Sequence, residues 1–273
     1  MIFEGKALMK LDKDSNILWA HRNGAHHDFQ VMPGGEMWIL TREAHVVPDI
    51  HPTRPVLEDF VSLLDANGEE RQRFSLLDAV GHSPYAPFLG SAPEAGDLLH
   101  TNSLEILDGA HEARVPAFRR GRLLLSVHTL NVIAVLDPDG GTIVWAMSGL
   151  WKRQHDPNLL ENGDLLVFDN QGHDGMSQVI ELDPTTQQIV WAYRGTPENG
   201  FYTELCGANQ RLPNGNTLIT ESERGRAFEV APDGVVVWEY RSPHRAGAKG
   251  DLVATLLEVV RLDPSTPLDW IGR

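Results

Sequence analysis

Three polar side chains occupy the same place in successive copies of a short pattern. Each copy is an apolar strand, a turn and a second apolar strand, as in FQVMPGGEMWIL, PNLLENGDLLVF and NQRLPNGNTLIT, with a looser copy at SLEILDG…RRGRLLLS. Counting back five residues from the apolar residue that precedes each turn gives His27, Asn102, His155 and Gly207. His100 lies two residues before Asn102, and residues two apart on a strand share a face. We therefore expect His27, His100, Asn102 and His155 to converge.

A second polar set follows from the same turns. Seven residues after each turn glycine come Arg42, His128, Asn170 and Ser222. These positions end the second strands, which run antiparallel to the first and return to the same edge. The sequence therefore predicts that Arg42, His128 and Asn170 lie behind or beside the histidines.

The chemistry open to such a group is that of imidazole. Histidine serves as a nucleophile, as a general acid or base, or as a metal ligand. Histidines together with an asparagine amide also suit an anionic group with several oxygens, because all of them can donate hydrogen bonds. Three histidines would suit zinc, whereas the oxygen ligands that calcium prefers are fewer in this set.

The remaining polar residues have simpler interpretations. Asp28 and Asp156 each follow a histidine of the set and are expected to bond local backbone or orient a neighbour rather than to act as bases. Cys206 is expected to be a small buried residue. Seven further histidines are expected to be ordinary surface or hairpin residues: His21, His45, His51, His82, His111, His173 and His244.

The elements that position these residues are the strands of a repeat. Outer hairpins read VLDPDGGTIVWAM, ELDPTTQQIVWAY and EVAPDGVVVWEY, and their Trp145, Trp191 and Trp238 are 46 and 47 residues apart. Weaker copies lie at 10–21 and 62–74. One unit thus holds four antiparallel strands in about 46 residues, the size of a propeller blade. The tryptophans are expected to pack between blades.

The repeat predicts an all-β fold, a β-propeller of four-stranded blades forming a single domain over residues 1–273. Four complete units are counted, preceded by an orphan outer pair at 8–20. The tail, 251–264, fits the periods of both a strand and a short helix, so both remain open.

Composition excludes several classes of function. Lys+Arg 23 against Asp+Glu 38 gives a net charge of −15, which opposes binding to nucleic acid or to an anionic membrane surface. The single cysteine excludes an internal disulfide framework. No apolar run approaches the ~20 residues of a membrane span, and no signal peptide is visible at the N-terminus.

Four motifs together resemble a known family. HHDF at 26–29 followed by MPGG, HTNS at 100–103, QHD at 154–156 followed by LLENGDLLVFDN, and NQRLPNGNTLITES at 209–222 are similar to those of the arylsulfate sulfotransferases. The resemblance implies a six-bladed propeller that moves a sulfuryl group from a phenolic sulfate ester to a phenol through a sulfohistidine. It implies no nucleotide sulfate donor and no cofactor.

The resemblance also implies roles for individual residues. His155 matches the nucleophile, and His27, rather than His26, matches the histidine of the HHD motif. His100 and Asn102 match the pair that binds sulfuryl oxygens and assists proton transfer, with His100 as the acid and base. His128 stands where the family has an arginine that contacts these oxygens. Arg42 and Asn170 come from the register and not from the resemblance, and they are expected either to bind substrate or to make hydrogen bonds between blades.

The resemblance further implies strands that would precede Met1. We expect either a shortened ring or a free edge, and a free edge strand favours self-association into a homo-oligomer. Members of the family are commonly exported, and the location of this chain stays open.

Three other functions fit the same residues. If water replaces the phenol, the site is a sulfate-ester hydrolase. If the histidines bind a metal ion, the chain is a metal-dependent propeller hydrolase or lactonase. If they do neither, the propeller binds a partner without catalysis.

Overall fold

Antiparallel sheets make up nearly all of the regular structure. The computed structural model describes residues 1–195 and 200–268, and the fold class is the β-propeller of four-stranded blades that the repeat predicts. By its contacts the chain divides into two compact units, Met1–Leu150 and the residues from Trp151 onward. The expectation of a single domain remains a prediction.

The first unit contains three sheets. The first has three strands, β1 (Ile2–Phe3), β2 (Ala7–Leu11) and β3 (Ile17–His21), and its outer pair is the orphan hairpin that the repeat predicts. The second is β4 (Ala25–Val31), β5 (Met37–His45), β6 (Val56–Leu64) and β7 (Glu70–Ser75), with β8 (Gly96–Asp97) paired parallel to β6. The third is β9 (Thr101–Ile106), β10 (Leu123–Val127), β11 (Val132–Asp137) and β12 (Thr142–Ser148).

The second unit contains two complete blades and a short hairpin. Its blades are β13 (His155–Leu159), β14 (Leu165–His173), β15 (Met176–Leu182) and β16 (Ile189–Arg194), then β17 (Ala208–Arg211), β18 (Thr217–Glu221), β19 (Arg226–Val230) and β20 (Val236–Arg241). The hairpin is β21 (Arg245–Ala246) and β22 (Leu252–Val253). Each of the four complete units of the repeat therefore forms four antiparallel strands, and the second sheet carries β8 as a fifth strand.

In residues 1–195 and 200–268, helix is confined to short turns. The α-helix α1 (Leu76–Gly81) begins at Ser75, whose hydroxyl accepts the backbone N–H of Asp78 at 3.0 Å. Three 3₁₀ turns cover Ala86–Ser91, Pro116–Phe118 and Ser222–Arg224. Among the residues described, no helix has the length and apolar character that crossing a membrane requires.

Apolar cores lie between consecutive sheets of each unit. In the first unit, Leu40 and Val61 of the second sheet pack with Leu104 and Leu125 of the third. In the second unit, aromatic residues fill the equivalent layer, with the rings of Phe201 and Phe228 5.5 Å apart. Because each inner face is buried, a one-residue slip of any strand would expose its core side, which fixes the register that positions the polar residues.

The repeated tryptophans have mixed environments. The indole of Trp145 packs edge-on against the ring of Phe118 at 5.4 Å, and Trp191 donates from Nε1 to the Pro232 carbonyl at 2.9 Å. Trp238 is 41% exposed, so the expected packing between blades fails for this copy. In the tail, residues 254–264 form neither of the two expected elements, and only Leu252–Val253 are a strand.

Candidate functional site

The equivalent positions of the repeat, His27, Asn102 and His155, lie where three inner strands pair irregularly with their neighbours. The register shifts within residues 25–29 of β4, at 101–103 of β9, and within 155–158 of β13. By contrast, β17 pairs with β18 in regular register over Ala208–Arg211. Such bulges turn a strand locally and re-aim its side chains, and they occur often beside active sites.

The fourth equivalent position, Gly207, has no room for a side chain. Its φ is +123°, and a Cβ at this residue would lie 2.5 Å from a ring carbon of Phe168. The packing of Phe168 therefore explains why the fourth blade contributes no polar group at this position.

In β4, two adjacent histidines face each other. Neighbouring residues of a regular strand point to opposite faces, but His27 has a left-handed backbone with φ +51° inside the bulge. As a result, His26 Nδ1 and His27 Nδ1 are 2.8 Å apart. His26 is fully buried and His27 is partly exposed. Both rings therefore belong to the site, whereas the sequence favoured His27 alone.

His100 reaches the site by a different route from the one expected. It precedes β9 and has a left-handed backbone with φ +49°, so the alternation of a strand does not place it. Its Nδ1 lies 2.6 Å from Oδ2 of Asp97, which β8 holds beside β6. Burial acts to raise the pKa of Asp97, but the hydrogen bond and charge of His100 outweigh it, so that this pKa lies below its usual range.

Four imidazole rings form a row in the first unit. Ring centroids are 5.1 Å apart for His26 and His27, 4.8 Å for His27 and His100, and 5.0 Å for His100 and His128. His128 is 4% exposed, whereas the side chain of His100 is 32% exposed. The row therefore runs from buried ends to an accessible middle formed by His27 and His100.

Arg42 and Asn102 belong to the same unit as this row. Arg42 on β5 places Nη2 3.1 Å from Oε1 of Glu4, and Oε2 of the same carboxylate accepts the backbone N–H of His27 at 3.0 Å. Gly5 makes room for the guanidinium, because a Cβ there would lie 2.7 Å from Nη2. Asn102 is 8% exposed within the bulge of β9.

A buried acid lies behind the row. Asp59 Oδ1 is 3.7 Å from His26 Nε2, and Asp59 Oδ2 accepts the backbone N–H of Thr101 at 2.6 Å. Burial, then the charge of Arg42, lowers the pKa of His26 to about 3, so His26 is neutral at physiological pH. Burial raises the pKa of Asp59 to about 6.

In the second unit, His155 and Asn170 are joined directly. His155 is 7% exposed at the start of β13, and its Nδ1 is 2.8 Å from Oδ1 of Asn170 on β14. Asn170 is fully buried. The sequence placed Asn170 among the substrate-binding groups, and the structure surrounds its amide with protein atoms. The expected convergence of His155 with the histidines of the first unit stays a prediction.

The two aspartates that follow histidines bond the backbone of distant residues, which the sequence prediction of bonds to local backbone did not include. Asp28 Oδ2 accepts the N–H of Leu104 at 2.8 Å, and Asp156 Oδ2 accepts the N–H of Asn209 at 2.6 Å. Each carboxylate thus ties its inner strand to that of the next blade. Cys206 differs from expectation, since it precedes β17 and is partly exposed.

Sequence reasoning missed three contributors to the site, Glu4, Asp59 and Asp97, and it set His26 aside in favour of His27. Asp59 and Asp97 stand outside the repeated positions, on β6 and on the short strand β8. The spacing Asp97-x-x-His100 is the only sequence signal for this pair, and it is weak by itself.

One cluster has the donor set of a metal site. Glu4, His26 and His27 each place one ligand atom within 4.8 Å of the others. A neutral buried histidine is a suitable ligand. The guanidinium of Arg42 already neutralises the Glu4 carboxylate, and it would repel a cation bound there.

The comparisons with known proteins agree with the motifs. A family model described as arylsulfotransferase (ASST) matches residues 3–243. A search of curated proteins gave no significant match.

Several solved structures are similar to the chain at low sequence identity. A streptogramin B lyase structure has a TM-score of 0.50 and 13% identity, covering 88% of this chain and 63% of that one. A virginiamycin B lyase from Staphylococcus aureus has a TM-score of 0.48 and 14% identity, covering 87% of this chain and 59% of that one. A protein of unknown function from Bacteroides caccae has a TM-score of 0.45 and 13% identity, covering 86% and 89%. The chain thus spans about three fifths of the length of the two lyases.

Proposed function

Because the chain belongs to the arylsulfotransferase (ASST) family, we propose that it transfers the sulfuryl group of an aryl sulfate to a phenol, with His155 as the nucleophile. The observation that carries this assignment is the hydrogen bond between His155 Nδ1 and Asn170 Oδ1. Because this bond places the hydrogen of the neutral ring on Nδ1, the lone pair lies on Nε2, where it can attack sulfur.

The proposed reaction has two balanced steps. In the first, His155 Nε2 forms a bond to sulfur, and the bond between sulfur and the phenolic oxygen breaks with its electron pair on oxygen. A protonated histidine gives that oxygen a proton. In the second, the oxygen of the acceptor phenol attacks sulfur and loses its proton to the same histidine. The N–S bond then breaks and its pair returns to Nε2.

His100 is the best-supported group for proton transfer. The Asp97 carboxylate at 2.6 Å stabilises a positive charge on His100, as proton donation to a phenolate requires. The side chain of His100 is also accessible to a substrate, whereas His128 is almost fully buried. Asn102 and His27 are the proposed hydrogen-bond donors for sulfuryl oxygens. His128 is almost fully buried and Arg42 is paired with Glu4, so contact of either with the sulfuryl group stays a prediction.

A chromogenic aryl sulfate tests this function. We expect release of the coloured phenolate to rise with the concentration of an added phenol, and the sulfated phenol to appear in equal amount. Release of phenolate that is independent of the phenol concentration would show that the chain is a hydrolase. No release with a range of aryl sulfates would show that the chain binds a partner without this catalysis.

A second candidate is a metal-dependent hydrolase, favoured by the proximity of Glu4, His26 and His27. In that case, protein purified without chelator would contain about one metal ion per chain. Chelation would abolish activity, and Glu4→Gln would lower metal content. Activity that is unaffected by chelators excludes this candidate.

A further inference from the structure

Asn170 occupies a fully buried place directly behind His155. It lies on β14, just beyond Asp169, where the pairing of β14 with β15 becomes irregular. Its backbone carbonyl accepts the hydroxyl of Ser177 at 2.9 Å. The residue is therefore fixed by its main chain as well as by its side chain.

The orientation of the Asn170 amide follows from its partners. Its Nδ2 donates to two carbonyl oxygens, of Thr203 at 3.0 Å and of Cys206 at 2.7 Å. Carbonyl oxygens only accept, so the NH₂ group must face them and Oδ1 must face His155. A flipped amide would lose both bonds and direct its NH₂ group at His155.

The proton on His155 is assigned by the same reasoning. Nδ1 of His155 faces two acceptors, Asn170 Oδ1 at 2.8 Å and the Arg153 carbonyl at 3.2 Å. Nδ1 must therefore carry a hydrogen. In the neutral ring the lone pair is then on Nε2.

Thr203 is itself held by β15. Ser177 Oγ on β15 accepts the backbone N–H of Thr203 at 3.0 Å and lies 3.2 Å from the Thr203 carbonyl. One of the two carbonyls that orient Asn170 is therefore held in place by a second strand.

We propose that Asn170 is the positioning residue of the nucleophile: it holds His155 in the Nδ1–H form with a neutral partner, so that Nε2 attacks the sulfate ester. His100 and His155 differ in the charge of the group that is bonded to Nδ1. A carboxylate on Nδ1, as at His100, favours the protonated ring and suits proton transfer. An amide on Nδ1 adds no charge and leaves the ring free to act as a nucleophile. The assignment of the proton to Nδ1 does not depend on the proposed function. Only the expected effect of Asn170 on the rate rests on that function.

The direct test is ¹⁵N NMR of protein labelled at histidine ring nitrogens, with His155 assigned by its loss in His155→Ala. At neutral pH we expect Nδ1 of His155 to carry the proton and Nε2 to have the shift of an unprotonated nitrogen. Asn170→Ala should produce a mixture of both forms. A wild-type His155 with the proton on Nε2, or one whose spectrum is unchanged in Asn170→Ala, would overturn the proposal without reference to any activity.

Kinetics separate the inference from the function. Asn170→Ala is expected to lower kcat on the order of tenfold to a hundredfold with little change in KM, as loss of an orienting partner does. Asn170→Asp, which puts a carboxylate on Nδ1, should leave kcat low at neutral pH and restore part of it as pH rises. Asn214→Ala, which removes an exposed amide of the same unit, is the control. If wild-type protein transfers no sulfuryl group, the proposed function fails, and the NMR result still decides the role of Asn170.

Discussion

Nδ1 of His100 donates a hydrogen bond to Oδ2 of Asp97 at 2.6 Å. The two residues are three apart in sequence; His100 has a left-handed backbone, and Asp97 ends the short strand β8. The pair has the arrangement of a histidine whose charge is stabilised by a neighbouring carboxylate. At Nδ1 of His155, the amide of Asn170 takes the place of this acid.

Replacing Asp97 by asparagine should change the pH dependence of transfer. The amide oxygen can still accept the Nδ1 proton, but the negative charge that stabilises protonated His100 is gone. We expect the limb of the kcat profile that reports loss of the catalytic proton to move to lower pH. Asp139→Asn, an exposed aspartate of the same unit, is the control. An unshifted profile would show that Asp97 does not govern the proton on His100.

Asp59 should make stability fall as pH rises. Burial raises its folded-state pKa to about 6 from the ordinary 3.8, so the folded state binds this proton more tightly than the unfolded state. This contribution is fully present below pH 3.8 and is lost as pH rises through about 6. The difference between these two pKa values corresponds to about 3 kcal/mol of unfolding free energy.

The variant Asp59→Asn removes this pH-dependent contribution. Its unfolding free energy relative to wild type, from urea titrations, should increase by about 2 kcal/mol between pH 4 and pH 7. The lowered pKa of His26, about 3, makes stability rise with pH, but His26 is present in both proteins. A difference that stays constant across this range would contradict the assignment, and Asp14→Asn is the exposed control.

Restoring the charge of the family's arginine should raise activity. His128 lies 5.0 Å from His100, centroid to centroid, so a guanidinium in its place would be close to the row of imidazoles. We expect His128→Arg to increase kcat/KM for an aryl sulfate severalfold, because a permanent cation stabilises charge on the sulfuryl oxygens. His244→Arg, at an exposed histidine, controls for net charge. Equal or lower activity with an intact fold would remove His128 from the sulfuryl-binding group.

The carboxylate of Asp156 should stabilise the second unit. It accepts the backbone N–H of Asn209 at 2.6 Å, and Asp156 has a left-handed φ of +46°. Asp156→Ala should cost about 1–3 kcal/mol, since that N–H loses its acceptor. Asp156→Asn should cost less, because asparagine keeps an acceptor and tolerates this backbone. Thermal unfolding of the three proteins checks this order, and equal midpoints would refute it.

The repeat was sufficient to predict the four complete blades and the equivalence of His27, Asn102 and His155. Register follows from the pattern of apolar residues, which the buried inner faces enforce. The repeat could not predict the contacts of His26 and His100, because bulges and left-handed residues break the alternation of side chains on which the prediction depends. Asp59 and Asp97 could not be found either, since long-range pairing, rather than any local pattern, places them beside the histidines.

The central claim is that His155 carries the sulfuryl group, and mass spectrometry of the trapped intermediate tests it most directly. Wild-type protein incubated with an aryl sulfate and quenched in base should gain one adduct of about 80 Da, located on the peptide that contains His155. His155→Ala should keep its fold, lose the adduct and lose transfer, while His173→Ala, on the same blade, keeps both. An adduct on another residue, or a His155→Ala protein that still transfers or regains activity with added zinc or calcium, would contradict the sulfohistidine mechanism.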